Sequence, residues 1–326
     1  MQPNKIHYGV IGAGHIGNYH AQQIKNIEIA NLAGVYDIDC KQAQLIAKRY
    51  NTKAFTKLLD LLNLCTAITI ATPAKTHFEI ALLALENNCH LFIEKPITTN
   101  LEEAEIIIKE AKKKNRLVQV GHIERFNPAF VKLLTYQNLS NAQFIEAERL
   151  APFNQRGLDV NVLLDLMIHD IDLILHIKGC GVKNIEAIGV KVLSETNDLA
   201  NARITFKDNS VVNLTASRIS DTSVRKLRIF NKEEYFSVDL QNHSIDLYAI
   251  QQDSNINKNS HLLFSSKKKS IVHDVTVVPK QNALYEELAS FIASIKTGKK
   301  IIVDASAGTE AIKLALLIQE KIYEST

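Results

Sequence analysis

Cysteine is scarce in this chain, a charge excess of either sign is missing, and long uninterrupted apolar runs are absent. The four cysteines, at positions 40, 65, 89 and 180, are widely spaced and form no CxxC pair. Neither a chelating zinc motif nor a thiol-exchange motif is therefore present, and a reduced, cytoplasmic setting is expected. The 38 basic and 35 acidic residues leave a formal net charge of +3 and are interspersed. That distribution lacks the one-signed field that draws nucleic acid. Two short basic runs, Lys112-Lys113-Lys114 and Lys267-Lys268-Lys269, are read as solvated ends of elements. No stretch approaches the run of about 18 apolar residues that a membrane span needs. Met1-Gln2-Pro3-Asn4-Lys5 and the apolar run that ends at Ile11 lack the length of a signal peptide's apolar region with its cleavage site. Neither membrane nor nucleic acid is expected as a partner.

What is present is enough apolar material for two cores. The chain has 326 residues, 46% of them hydrophobic and 22% charged, more than one typical domain accommodates. A β-prone run at Ile6–Ile11 leads into Gly12-Ala13-Gly14-His15-Ile16-Gly17 and then a helix-compatible stretch over residues 18–25. Strand, glycine turn and helix in that order suit a dinucleotide. Gly12 permits the tight turn, Gly14 lets backbone approach a pyrophosphate, Gly17 lets helix and strand pack closely, and the helix N-terminus faces the phosphates. Such a motif gains weight from an acid about 20 residues further on. Asp37 fills that place, closing the second expected strand, Ala30–Tyr36. A carboxylate there accepts both ribose hydroxyls of NAD and repels the 2′-phosphate of NADP. The alternative is that Asp37 only opens the turn Asp37-Ile38-Asp39 as a helix cap.

The alternation continues with strands at 67–71, 90–93 and 117–120 and helices at 78–87 and 101–113. A doubly wound parallel sheet follows, an α/β Rossmann domain over residues 1–121. Ligands of such sheets bind beyond the carboxyl ends of the strands. Ala71, Thr72, Pro73, His77, Glu94, Lys95, Pro96, His122 and Arg125 all fall there. Lys95 at a strand end can reach a nicotinamide and a substrate oxygen; its plainer reading is a surface salt bridge.

Residues 163–178 are apolar on nearly every side yet carry Asp165, His169, Asp170, Asp172 and His176 before Gly179. An all-round apolar helix is buried, and buried polar groups require partners. The spacing of Asp165, His169 and Asp172 puts them on one helical face. Three readings stand: a histidine base oriented by a carboxylate, a metal site that no further cysteine or histidine cluster completes, and a satisfied core network. No metal is expected. Beyond this helix, β-prone runs at 185–192, 200–206, 210–217, 226–230 and 235–239, with Lys207-Asp208-Asn209 as a hairpin turn, imply an α+β domain with a mainly antiparallel open sheet over residues 122–326. Helices at 283–296 and 305–320 are expected to pack back on the first domain, and residues 254–269 to form a loop.

These motifs together resemble the Gfo/Idh/MocA family, named for glucose-fructose oxidoreductase, inositol dehydrogenase and a rhizopine-catabolism protein. The resemblance runs through Gly12 to Gly17, Ala71-Thr72-Pro73 with His77, Glu94-Lys95-Pro96, and the helix of Asp165, His169 and Asp172. It implies that Lys95, Asp165 and His169 are catalytic. The histidine or the lysine takes a hydroxyl proton while hydride leaves the same carbon for nicotinamide C4, Lys95 stabilises the developing alkoxide, and Asp165 holds the side chains. Many members carry a glycine-rich stretch before the aspartate and a glycine two positions after it; this chain has Asp159-Val160-Asn161-Val162 and Met167. In that respect, and at Gly121-His122-Ile123-Glu124-Arg125-Phe126-Asn127-Pro128, Arg149, Pro152-Phe153, Arg156 and Asp159, it resembles a subgroup that oxidises the sugar 3-hydroxyl of UDP-N-acetylglucosamine. The resemblance then implies substrate contacts from His122, Arg125, Asn127, Arg149, Arg156, Asp159 and Asp172. Guanidinium forks suit a diphosphate, although ordinary ion pairing explains any single arginine as well. Homodimers or homotetramers built on the open sheet, and a downstream aminotransferase, are implied too. The rival readings are a dehydrogenase of the same family for a free sugar, inositol or UDP-hexuronate, a hydrolase that retains NAD, and a non-enzymatic dinucleotide sensor.

Overall fold

The computed structural model describes residues 5–154, 160–179, 181–251, 261–265 and 269–324. Two compact units emerge, one of Met1–Ile123 with Asn282–Ile312, the other of Glu124–Gln281 with Lys313–Thr326. Residues 282–312 group with the first unit, and the second unit begins at Glu124.

The first unit is built on a six-stranded parallel sheet: β1 (Ile6–Ile11), β2 (Ala30–Tyr36), β3 (Ala54–Phe55), β4 (Ala67–Ile70), β5 (His90–Glu94) and β6 (Val118–Gly121). The spatial order is β3-β2-β1-β4-β5-β6. Order reverses between β1 and β4, which creates the crevice at the strands' carboxyl ends where ligands of such sheets bind. The strands are buried almost continuously, as in β4 and β6, because helices cover both faces of a parallel sheet. Those helices are α1 (His15–Asn26), α2 (Cys40–Tyr50), α3 (Leu58–Leu62), α4 (His77–Glu86) and α5 (Leu101–Lys114). The stretch of α2 and α3 carried no expectation from the sequence.

In the second unit come α6 (Pro128–Leu133), β7 (Phe144–Leu150), α7 (Ile168–Lys178), and β8 (Val182–Val190) through β9 (Leu199–Phe206), β10 (Val211–Ser217), β11 (Val224–Phe230), β12 (Glu234–Asp239), β13 (Ser244–Gln251), β14 (His261–Ser265) and β15 (Ser270–Val277). They form one nine-stranded sheet ordered β14-β15-β13-β12-β11-β7-β10-β9-β8, with β7 and β10 the parallel pair. The expected loop at 254–269 is corrected in part: residues 261–265 pair as β14 with β15. All five residues of β14 are exposed, so no burial pattern announced an edge strand; the rest of that stretch, apart from Lys269 as the residue before β15, lies outside the described residues.

The helix α8 (Ala283–Thr297) belongs to the first unit through Leu288, Phe291 and Ile292, which join Tyr8, Val10, Ile24 and Phe92 in one buried cluster. The Phe291 ring meets Tyr8 edge-on at 6.4 Å and Phe92 at 6.0 Å. Each fully buried side chain of that size contributes about 1.5–3 kcal/mol. The backbone N–H of Val120 donates to Val303 O at 3.1 Å, ahead of α9 (Ala305–Glu324).

The turn from β1 to α1 has almost no spare volume. Gly12 has φ +95°, and a Cβ there would sit 2.6 Å from Ala71 O; a Cβ on Gly17 would sit 1.8 Å from Gly12 O. Gly17→Ala is therefore expected to lower stability by about 3 kcal/mol, as overpacking against backbone does, and urea denaturation of the variant measures it.

Candidate active site

Around the crevice of the first unit the glycine loop divides by role. Gly12, Ala13 and Gly17 are buried, while Gly14, His15 and Ile16 are exposed. Gly14 is the N-cap of α1, no side chain caps that end, and nothing lies within 4 Å of where its Cβ would stand. Uncapped N–H groups facing open space at a helix start are an anion cradle, which fits a dinucleotide's pyrophosphate. Asp37 is half-buried at the end of β2. Its carboxylate accepts the N–H of Ala13, within the glycine loop, and the N–H of Asp39 at 2.8 Å. The cap of α2 is Asp39, which accepts the Lys41 N–H at 2.9 Å. Asp37 is thus tied to the phosphate loop rather than serving as that cap.

Across the crevice, Thr72 and Lys95 are half-buried and Pro73 is exposed. The Lys95-Pro96 peptide is cis. Glu94 accepts from His20 Nε2 at 2.7 Å through Oε1 and from the Lys95 N–H at 3.2 Å through Oε2. Burial pushes the Glu94 carboxyl up, but the hydrogen bond from His20, with the charge and N–H of Lys95, holds the group below the usual carboxylate range. Gly121, at the end of β6, makes room: a Cβ there would lie 3.0 Å from Glu94 Oε2. His77, expected as a cofactor contact, has protein partners at both ring nitrogens. It is buried, and its ring nitrogens face main-chain carbonyls, Nδ1 that of Pro96 at 2.9 Å and Nε2 that of Thr72 at 2.8 Å. It joins the loop after β4 to the turn after β5.

The second unit holds the other candidates. Leu163–Met167, which contains Asp165, is a π-helical turn that runs into α7. Such turns recur at functional sites, and their wider pitch breaks the face-sharing that α-helical spacing predicts. Asp165 and His169 are half-buried, whereas Asp172 is only 1% exposed. Of the three residues expected on one face, Asp172 thus differs from Asp165 and His169 in exposure.

Asp172 instead receives Arg125 bidentately, at 2.6 Å and 3.1 Å. Arg149, 3% exposed, gives Nε and Nη2 to Asp170, both at 2.8 Å, and Nη1 to Glu124 at 2.8 Å. Asn127 donates to Glu124 Oε2 at 2.9 Å and Leu240 O at 2.8 Å, while its Oδ1 caps α6. Burial pushes Glu124 up, but Arg149, Arg225 and Asn127 hold it below its ordinary value. Arg125, Arg149, Asn127 and Asp172, expected as substrate contacts, meet one another or other protein groups in the fold, as buried charge requires. They clamp the segment after β6 onto α7 and β7. His122 is likewise buried. Arg156 and Asp159 lie outside the described residues. No role was expected for His20, Glu124 or Asp170; the available signal for the last two was an acid beside a basic residue, Glu124 before Arg125 and Asp170 after His169. No group of three or more histidine, cysteine or acidic side chains that could hold a metal occurs among the described residues, and no helix among them is long and apolar enough to cross a membrane.

Residues 6–122 match the family described as an oxidoreductase family with an NAD-binding Rossmann fold, and residues 136–236 match the Gfo/Idh/MocA C-terminal domain. A UDP-N-acetylglucosamine 3-dehydrogenase from Acidithiobacillus ferrooxidans is 34% identical over 311 residues, 95% of each chain. The chain belongs to the Gfo/Idh/MocA oxidoreductase family. The solved structure of the Acidithiobacillus enzyme superposes with a TM-score of 0.88 at 33% identity, over 98% of each chain. A myo-inositol 2-dehydrogenase of Thermotoga maritima is 24% identical over 97% of this chain and 96% of its own. A scyllo-inositol dehydrogenase of Lactobacillus casei, solved with NAD(H) and scyllo-inositol, shares the fold at a TM-score of 0.78 and 20% identity, over 98% of each chain. As a Gfo/Idh/MocA protein this chain is an NAD-dependent dehydrogenase acting on a CH–OH group, and the Gly14 cradle and Asp37 are the parts of its fold that suit NAD.

The cradle is directly testable. Gly14→Ala is expected to leave the thermal midpoint within a degree or two, since the added methyl meets nothing, and to weaken NAD binding roughly tenfold by blocking backbone approach. Calorimetric titration with NAD beside a thermal melt separates the two; an unchanged affinity would remove Gly14 from the phosphate site.

Proposed function

We propose that this enzyme oxidises the 3-hydroxyl of the sugar in UDP-N-acetylglucosamine to a ketone. The observation that carries the substrate assignment is the 34% identity, over 95% of both chains, to an enzyme of that name. Lys95, Asp165 and His169 supply the chemistry. All three are half-buried, so each is open to a ligand yet held by the fold. Lys95 or His169 takes the hydroxyl proton as the carbon loses hydride, and the ammonium of Lys95 steadies negative charge on the oxygen. Asp165 holds the side chains in register. Bound NAD supplies the hydride acceptor. The Asp37 carboxylate favours NAD over NADP by repelling a 2′-phosphate. With Arg125 and Arg149 engaged inside the second unit, diphosphate recognition falls to other groups, and Arg156 remains a candidate for it. A 3-keto sugar is the substrate an aminotransferase would consume, and a reduced, cytoplasmic setting belongs to the same reading.

The inositol dehydrogenases among the relatives favour a free polyol as the second reading. NADH formation from NAD with a panel of UDP-sugars, free hexoses and inositols, with a carbonyl trap present, decides between them. Signal confined to UDP-N-acetylglucosamine is expected. Equal or greater signal from inositol or a free sugar would move the substrate, and none from any substrate would overturn the dehydrogenase assignment for these classes.

Self-association through the open face of the nine-stranded sheet completes the proposal. Phe144, Phe230, Tyr235, Tyr248 and His273 form an unbroken cross-strand row, with successive ring centroids 5.4, 4.4, 5.2 and 4.4 Å apart. The same face pairs Glu146 with Arg228 at 2.6 Å, so rings and both charge signs are present for a second copy of the chain to match. Sedimentation is expected to show a dimer or tetramer that Tyr235→Glu dissociates; a monomeric native protein would refute it.

A further inference from the structure

Beneath the Lys95 turn lies a run of polar side chains in an otherwise apolar core. Tyr8, Thr69 and His20 are each 0% exposed. Tyr8 OH stands 3.0 Å from Thr69 Oγ1, Thr69 Oγ1 3.3 Å from His20 Nδ1, and His20 Nε2 2.7 Å from Glu94 Oε1. The Phe92 ring packs edge-on against the imidazole at 5.1 Å, fixing its plane. Three strand residues and one from the helix α1 that packs on them are costly to bury unless every donor meets an acceptor.

Its direction follows from the ends. A carboxylate oxygen only accepts, so Nε2 donates to Glu94. In the tautomer with one ring proton, Nδ1 then accepts from the Thr69 hydroxyl, whose oxygen accepts from Tyr8. Burial pushes the Tyr8 hydroxyl far above its ordinary value, which keeps it a donor. All three protons point toward Glu94, and Glu94 in turn accepts the Lys95 N–H. His77 Nδ1 stands 2.9 Å from the carbonyl oxygen of the next residue, Pro96. We propose that His20 is a positioning residue for the proposed reaction: as last donor of a one-way chain from Tyr8, it holds Glu94 as a carboxylate that fixes the Lys95 turn. This rests on the role given above to Lys95.

Glu94 faces His20 from α1, Lys95 from its own turn and Gly121 from β6; at the far end Tyr8 feels Glu287 of α8 and Cys65. Because His20 lowers the Glu94 midpoint, its removal lets that midpoint rise, so that Glu94 loses its charge at a higher pH as the solution is acidified.

The test follows the Glu94 carboxyl by 13C NMR in cofactor-free protein, assigned with Glu94→Gln, alongside pH profiles of turnover. For His20→Ala we expect the Glu94 midpoint to rise by about one unit or more, the acid limb of kcat to move the same way, and kcat to fall at least about tenfold with KM for NAD changed much less. His20→Gln, whose amide donates to the same oxygen, restores most of each effect. Thr69→Val, which keeps His20 and the core volume, gives a smaller shift of the same sign. An unmoved Glu94 midpoint in both His20→Ala and Thr69→Val overturns the proposal, as does equal loss in His20→Ala and His20→Gln with an unshifted pH profile. Should Lys95→Ala keep full turnover, the role of Lys95 fails instead, and the NMR midpoint still reports whether His20 governs Glu94.

Discussion

Close backbone approach at the point where the sheet reverses its order is the constraint on which the first unit depends. The carbonyl of Gly12 lies where a Cβ of Gly17 would be, and Ala71 O lies against Gly12. Those contacts draw the start of α1 down onto the ends of β1 and β4. The N–H groups of that helix start, with Gly14 open above them, then face the crevice without a side-chain cap. Any side chain at position 12 or 17 would lift the helix and scatter the donors. Asp37 adds a cross-brace by accepting the Ala13 N–H, so the group that suits NAD also stiffens the loop that suits its phosphates.

Within each unit, polar side chains fall into two kinds. Lys95 and Thr72 in the first unit, and Asp165 and His169 in the second, are half-buried. Others are bonded to protein groups of their own unit: His20 with Glu94 and His77 with two carbonyls in the first, Arg125 with Asp172 and Arg149 with Asp170 and Glu124 in the second. Breaking a buried ion pair by removing one partner costs roughly 3–5 kcal/mol, so these inner groups hold the shape on which the outer ones depend. Family resemblance marks both kinds alike.

The fold was largely legible because its signals are local and periodic. Alternating strands and helices over residues 6–121 reflect the burial of both faces of a parallel sheet, and Gly12 and Gly17 mark positions where only glycine fits. Less visible were β7, which lies mid-sheet between β10 and β11, and β14, an exposed edge with no apolar alternation. For β7, whose partners β10 and β11 lie far along the chain, distant pairing leaves little local trace. The return of α8 to the first core, through Leu288 and Phe291, was anticipated only in outline.

By itself, then, the sequence determined the dinucleotide motif and the nature of the sheet, since each depends on residue type and short spacing. Only the tertiary structure decided which charged residues face inward. Arg125 and Arg149 read in one dimension as phosphate forks; in three dimensions their carboxylate partners come from helix α7 and from Glu124, and burial compels the pairing. It also brought His20 within 2.7 Å of Glu94, 74 positions away in sequence, a distance no local pattern encodes.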